Sequence, residues 1–169
     1  MTHARNKVRW CLKKAEKEGR KHRGLRRIAP DSSVAENHLR KAEHNLEVMD
    51  HLVRAGFHDW AIPASFYAHY HCLLALLRAH GYESRNQECT FAAIEHLVEQ
   101  GTLALEKEDL HRIAAGTRDE LEEADIVDLR ERFQYGTETV YEKRRMEELQ
   151  EQTKGFIEKA KTLLHGSRP

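Results

Sequence analysis

The stretch from residue 59 to residue 81 constrains the fold most, because it is the most apolar run in the chain. Apolar side chains recur on nearly every side of a helix drawn through it, Trp60 and Tyr67 included, which is typical of a helix packed on several faces. Asp59 can cap its start and Gly81 can end it. Interrupting His and Arg residues argue against a membrane span, which needs about 20 mainly apolar residues. We therefore predict a buried central helix of an α-helical bundle and no membrane partner.

Further helices are predicted on both sides of the central one, from apolar residues that recur every three or four positions. The predicted helices span residues 4–18, 31–55, 89–100, 106–115, 118–135 and 138–165. A cap from Asp31 or Ser32, or a Ser33-x-x-Glu36 capping box, marks the second start. The second helix and the central one should form an antiparallel hairpin, because their link is short. The fold class is all-α, an up-and-down bundle of four or five core helices with an extra N-terminal basic helix.

Basic residues are concentrated at the N-terminus, although the formal net charge of the 169-residue chain is zero. Glycines and a proline among them, in residues 19–30, predict a loop or extended linker. We therefore divide the chain into a basic helix and linker, residues 1–30, and a helical bundle, residues 31–169. Side chains of the linker that could contact phosphate are Arg20, Lys21, Arg23, Arg26 and Arg27. The alternatives are a solvated linker held by acidic helices, or docking on the bundle or on a second copy.

Cysteine and histidine are not spaced as metal ligands. Cys11, Cys72 and Cys89 form no CxxC motif, and their odd number predicts reduced thiols in a cytoplasmic protein. The charged N-terminus, without an apolar core region, also favours the cytoplasm. No HExxH motif occurs among the 12 histidines, and His69 and His71 should point to different sides of a helix. We expect no metal and no cofactor.

The segment DLRERFQYG, residues 128–136, contains the candidates for chemistry at a site. Arg130 and Tyr135 could converge if the helix end unwinds at Gly136, and a guanidinium beside a phenol can hold a phosphate. Arg132, between them, is a further phosphate-binding candidate. The alternative is structural, with Arg130 paired to a neighbouring carboxylate and Tyr135 covering the core.

Two segments together resemble the HEPN family of helical domains, named after higher eukaryotes and prokaryotes. The segment SFYAHYHCLLALLRAHGYE, residues 65–83, is similar to the family's central signature, in which Tyr67, Tyr70 and His71 stand out. The remaining matching positions are Ala68, Ala75, Leu76, Leu77 and Gly81. The segment RERFQYG resembles the end of a later family helix, where many members have Arg followed by four to six residues and His. Arg130-x4-Tyr135 is similar to the pattern of a small prokaryotic subfamily, and the resemblance covers roughly residues 33–163.

The resemblance implies a function as well as a fold. Catalytic HEPN proteins are metal-independent ribonucleases, in which His helps to activate the ribose 2′-hydroxyl and Arg stabilises the phosphate. Tyr135 stands where that His would be, so the resemblance implies phosphate binding by Arg130 more directly than cleavage. The leading expectation is a homodimeric RNA- or nucleotide-binding module, possible partner of a nucleotidyltransferase in a toxin–antitoxin-like pair. The alternatives are a ribonuclease toxin that uses Arg130 with Tyr135, and a structural protein-interaction module.

Overall fold

The computed structural model describes residues 2–113 and 125–166, which form seven α-helices and one small sheet. In chain order the elements are α1 (His3–Glu18), a 3-10 turn (Gly19–Lys21), β1 (Leu25–Arg27), α2 (Ser32–Ala55), α3 (His58–Ala79), β2 (Tyr82–Ser84), α4 (Gln87–Glu99), α5 (Lys107–Ile113), α6 (Ile126–Tyr135) and α7 (Lys143–His165). The predicted all-α fold class is confirmed.

The central helix of the bundle is α3, which packs against α2, α4, α6 and α7. Its fully buried side chains include Ile62, Phe66 and Leu73, as a helix surrounded by others requires. The prediction of burial on nearly every side is wrong for one stripe. Trp60 is 64% exposed and Tyr67 is 43% exposed. Periodicity shows which positions share a face of a helix, but it does not show which face lacks a neighbour.

The helix starts are set by caps that differ from two of our predictions. Asp31 caps α2, because its carboxylate accepts a hydrogen bond of 2.9 Å from the Val34 N–H. The Ser33-x-x-Glu36 capping box is therefore wrong, since Ser33 already lies inside the helix. Asp59 likewise lies in the first turn of α3 and does not cap it. Gly56 ends α2 in a left-handed conformation with φ of 83°, which lets the chain turn back at once into α3.

The N-terminal region is attached to the bundle through α4 and β2. One face of α1 is buried by Val8, Cys11 and Ala15, and α1 packs against α4 and β1. The strand β1 pairs antiparallel with β2, where Leu25 lies opposite Ser84. Strand β1 falls in the segment that we predicted as a linker, and β2 falls between two predicted helices. Neither strand was predicted, because each forms by pairing between residues far apart in the chain. The domain boundary at residue 30 stays a prediction.

The expectation of three reduced cysteines is wrong. Cys11 of α1 and Cys89 of α4, which are 78 positions apart in the sequence, form a disulfide with Cα atoms 5.9 Å apart. Only the packing of α1 on α4 brings the two thiols together, so their spacing in the sequence carries no sign of it. Cys72 is free and buried in α3, where burial raises the pKa of its thiol well above the ordinary value.

The C-terminal helices complete the bundle around α3. The last helix, α7, contacts both α3 and α2, and it begins at Lys143, five residues later than predicted. The helix predicted at 106–115 is described as α5, and that predicted at 118–135 is described only as α6. Residues 114–124 lie outside the described residues. None of the helices in the described ranges is sufficiently long and apolar to cross a membrane.

Candidate nucleic-acid interface

Arg130 of α6 is held against the central helix by an aromatic ring. Asp125 caps α6 by accepting from the Asp128 N–H at 2.8 Å, which sets the start of the helix one turn before Arg130. The Arg130 guanidinium carbon lies 4.3 Å from the centroid of the Phe66 ring, a cation–π distance. The Arg130 side chain is only 13% exposed. Packing on Phe66 therefore positions this cation at the edge of the bundle.

The hydrogen-bonding capacity of Arg130 is largely unused by the described residues. Its Nε is buried and has no hydrogen-bond partner among them. Its Nη2 lies 3.5 Å from the Glu131 carboxylate, which is long for a hydrogen bond. The structural alternative, a close pair with a neighbouring carboxylate, is thus present only as a weak contact. A guanidinium has five N–H donors, so Arg130 retains donors for an incoming acceptor.

An aromatic cluster continues from Phe66 to the surface of α3. Tyr67 meets the Phe66 ring edge-on at 5.2 Å between centroids, and Tyr70 stacks on it at 5.7 Å. The Tyr70 hydroxyl is hydrogen-bonded to the Thr90 hydroxyl at 3.1 Å, and burial raises the pKa of Tyr70. Tyr70 is therefore a structural member of the cluster. Tyr67, in contrast, exposes its aromatic ring next to the Phe66 ring on which Arg130 lies.

Tyr135 and Arg132 are placed apart from Arg130, although they lie on the same helix. Tyr135 is 77% exposed, so it neither covers the core nor shares the Phe66 surface. Arg132 forms two hydrogen bonds with the Glu138 carboxylate, at 2.9 and 2.6 Å, and this partner raises the pKa of Arg132. The convergence of Arg130 and Tyr135 that we considered is not formed, because α6 keeps its helical geometry as far as Tyr135.

His71, the third residue of the family signature, faces α2. Its Nδ1 lies 3.0 Å from Nδ1 of His38, and one of the two nitrogens must carry the shared hydrogen. Burial, followed by the neighbouring His38 and Lys41, lowers the pKa of His71 to about 4. His71 is thus a neutral group in the α2–α3 contact and belongs to the packing of the fold.

The basic linker keeps most of its Arg and Lys side chains in solvent. The side chains of Arg20, Lys21, Arg23 and Arg27 form no ion pair with any described carboxylate, and all four residues are exposed. Arg26 is half-buried and donates to the Gly19 carbonyl. The linker is anchored instead by buried Leu25 and the strand pairing. The linker therefore does dock on the bundle, which was one of the alternatives, but it does so through backbone pairing and leaves these four charges unpaired by described carboxylates.

A cavity between α3, α5, α6 and α7, lined by charged and apolar residues, was missed by sequence reasoning. It measures about 250 Å³, and its lining includes His69, Arg112 and Lys159. We considered His69 only as one of a pair with His71, in the context of metal binding. The sequence signal for this site was a pair of polar residues, Ser65 and His69, four positions apart on an otherwise apolar face of α3. Within the described ranges no group of three or more His, Cys, Asp or Glu could hold a metal ion.

A family model, that of the HEPN domain, matches residues 35–163. The match includes the aromatic cluster, Arg130 and the cavity, and it begins after the basic linker. No curated protein matches the chain significantly. Because the matched residues make up most of the chain and its fold is helical, the chain belongs to the HEPN domain family.

Proposed function

We propose that the protein binds single-stranded RNA through Arg130 and the exposed aromatic residues of α3, and that it does so as a homodimer. The observation that carries the proposal is Arg130 itself. It is a cation fixed on the Phe66 ring, and its one contact with a carboxylate among the described residues is the long 3.5 Å contact with Glu131. Such a guanidinium can donate paired hydrogen bonds to a phosphate without first breaking a strong ion pair. Nucleic-acid binding also agrees with the functions that the HEPN resemblance implies.

The aromatic residues supply the second part of the proposed interface. Trp60 and Tyr67 are exposed two turns apart on α3, and Tyr67 contacts the ring on which Arg130 lies. Bases of single-stranded RNA stack on such rings, while the backbone follows a positive surface. A nucleotide would use the same two contacts, one ring and one guanidinium. The combination supports RNA or nucleotide binding over a role in protein contacts alone.

The basic linker supplies a second, sequence-independent phosphate contact in this proposal. Arg20, Lys21, Arg23 and Arg27 lack carboxylate partners among the described residues, so an RNA backbone would not have to displace any. Neutralising phosphates releases counterions, and affinity then falls as salt rises. The linker therefore contributes affinity, and Arg130 with the α3 rings positions the strand.

Further apolar residues at the start of α3 support the homodimer and a protein partner. Nδ1 of His58 accepts from the Tyr141 N–H at 3.0 Å, which brings the segment before α7 to the start of α3. Phe57 and Val140, the neighbours of these residues, are 55% and 73% exposed. We propose this surface as a protein contact, for a second copy or for a nucleotidyltransferase in a toxin–antitoxin-like pair. A Phe57→Asp variant that stays dimeric in light scattering would exclude this surface from the homodimer.

Metal-independent cleavage of RNA ranks below binding. Catalysis of this kind needs a proton acceptor beside the phosphate-binding Arg. Tyr135 points to solvent, and no imidazole of the described residues contacts Arg130. If the protein cleaved RNA in the presence of a chelator and Arg130→Gln abolished the cleavage, the protein would be a metal-independent ribonuclease and not only a binding module.

The test is the binding of a fluorescent single-stranded RNA, followed by anisotropy. Arg130→Gln should weaken binding at least tenfold, since one charge-assisted contact is worth roughly 1.5–3 kcal/mol. Tyr67→Ala should weaken it through lost stacking, which is worth about 1–3 kcal/mol per base. Arg54→Gln, which removes an exposed arginine at the end of α2, is the matched control. Equal affinities for Arg130→Gln and Arg54→Gln would refute the proposed interface.

The linker is tested by changing charges, because deletion of residues 1–30 would also remove buried Cys11 and Leu25. Combined Arg20→Gln, Lys21→Gln and Arg23→Gln should reduce the steepness of the fall of log affinity with log salt by about 2, three phosphates at ~0.7 each. The matched control removes three exposed charges elsewhere, with Arg40→Gln, Arg54→Gln and Lys154→Gln. A slope that falls equally in both variants would show a general effect of net charge and no linker contact.

A further inference from the structure

The cavity between α3, α5, α6 and α7 is lined by both charged and apolar side chains, and it is separate from the proposed RNA-binding surface. Arg130 and Tyr67 are not among its lining residues. His69 enters it from α3, Asp109 and Arg112 from α5, and Lys159 from α7. Its volume of about 250 Å³ lies just below the roughly 300–1,000 Å³ of typical ligand pockets, which suits a small molecule.

His69 presents a hydrogen-bond acceptor to this cavity. The residue is only 3% exposed, and its Nδ1 donates to the Ser65 carbonyl at 2.9 Å. Its ring stacks on Phe156 of α7, with centroids 5.1 Å apart, which fixes its orientation. Burial lowers the pKa of His69 to about 4, so the ring is neutral near pH 7. The remaining nitrogen, Nε2, has no hydrogen-bond partner in the described ranges and can accept one from a ligand hydroxyl.

Two cations stand at the same cavity. Arg112 is exposed and forms no ion pair or hydrogen bond with another described residue. Nζ of Lys159 lies 2.5 Å from the Asp109 carboxylate and 3.5 Å from that of Glu106. An ammonium has three N–H donors, so one donor of Lys159 remains after both carboxylates. Asp109 also lines the cavity, but its charge is matched by Lys159, and among the described lining residues Arg112 is left without a compensating charge.

We propose that this cavity binds a small hydroxylated anion, such as a sugar phosphate, whose anionic group contacts Arg112 and Lys159 and whose hydroxyl donates to Nε2 of His69. The carbon skeleton of the ligand would lie against Phe156 and the two isoleucines of the lining, Ile113 and Ile126. The site uses none of the residues that we propose for RNA binding, so either proposal can fail alone.

Isothermal titration with three probes tests the site in the full-length protein. Ribose 5-phosphate carries both groups, inorganic phosphate carries only the anion, and ribose carries only the hydroxyls. Ribose 5-phosphate should bind most tightly of the three. Arg112→Gln should weaken its binding about tenfold, the worth of one charge-assisted hydrogen bond. That variant should fold normally, since Arg112 has no partner to lose among the described residues. Lys159→Met should act in the same direction.

The role of His69 is separated from that of the cations by His69→Gln. This change should weaken ribose 5-phosphate while leaving inorganic phosphate unchanged. A ring resonance of His69, followed by NMR in the wild-type protein, should shift on titration with ribose 5-phosphate and provides a readout that does not depend on a variant. Arg54→Gln and Lys154→Met are the matched controls and should bind like wild type.

The possible outcomes are decisive for the site. No saturable binding of ribose 5-phosphate or of inorganic phosphate would overturn the proposal, as would equal binding in Arg112→Gln and Arg54→Gln. Inorganic phosphate that binds as tightly as ribose 5-phosphate would overturn the hydroxyl contact with His69. Retained binding of ribose 5-phosphate in Arg130→Gln is expected, and loss there would mean that the cavity is not the site.

Discussion

The N-terminal region and the last helix are attached to the same bundle by different chemistry. The N-terminal region is tied covalently, by the Cys11–Cys89 disulfide between α1 and α4. The last helix, α7, is attached to α3 by side-chain contacts, among them the Ser65–Thr153 hydrogen bond and the stacking of His69 on Phe156. The first attachment should respond to reductant and the second to pH. One small fold therefore contains two contacts that can be weakened independently.

The largest effect is expected from removing the covalent attachment. Combined Cys11→Ser and Cys89→Ser should lower the free energy of unfolding by about 4 kcal/mol, because a bond between residues 78 positions apart strongly restricts the unfolded chain. Urea denaturation measures the change. Reductant should destabilise the wild-type protein similarly and leave the double variant unaffected. An equal response of both proteins to reductant would show that the bond is not the cause.

Acid should weaken the α3–α7 attachment. Unfolded His69 binds a proton below about pH 6.5, whereas folded His69 stays neutral down to a pKa of about 4. The unfolded state thus binds more protons in this window, and stability falls as the pH decreases from 6.5 to 4. His69 should account for a loss on the order of 3 kcal/mol. In His69→Gln, urea denaturation at several pH values should show a smaller decrease; an unchanged pH dependence would contradict the assignment.

The smallest effect is expected at the polar pair beside His69. The Thr153 hydroxyl donates to the Leu149 carbonyl at 2.7 Å, so Ser65 must be the donor in its 2.8 Å contact with Thr153. Ser65→Ala removes that donor but leaves the Thr153 hydrogen satisfied. The expected loss is about 1 kcal/mol in urea denaturation. Once Ser65→Ala has removed this contact, adding Thr153→Val should lower the free energy of unfolding only slightly further. A large additional loss would mean that the two hydroxyls do not act as a pair.

The sequence predicted what depends on local patterns and missed what depends on distant contacts. Helix positions follow from apolar periodicity and flanking glycines, so the starts of α1 and α2 are correct to within a residue. The disulfide, the pairing of β1 with β2 and the His69 cavity each join residues that are far apart in the chain. Arg130 was found through its motif. Its contact with Phe66 could not be predicted, because it depends on how α6 packs against α3. The assignment of Arg130 and Tyr135 to catalysis stays a prediction.

The Cys11–Cys89 bond also divides the chain topologically. The covalent ring that it closes contains the basic linker and the α2–α3 hairpin, while α5, α6 and α7 lie outside it, Arg130 included. A single protease cut within residues 12–88 would therefore leave both fragments joined until the bond is reduced. A cut after Cys89 would release a C-terminal fragment under non-reducing denaturing conditions. The linker lies inside the disulfide-closed ring and Arg130 lies outside it. A cut between Cys89 and Arg130 would therefore separate these two parts of the proposed RNA interface.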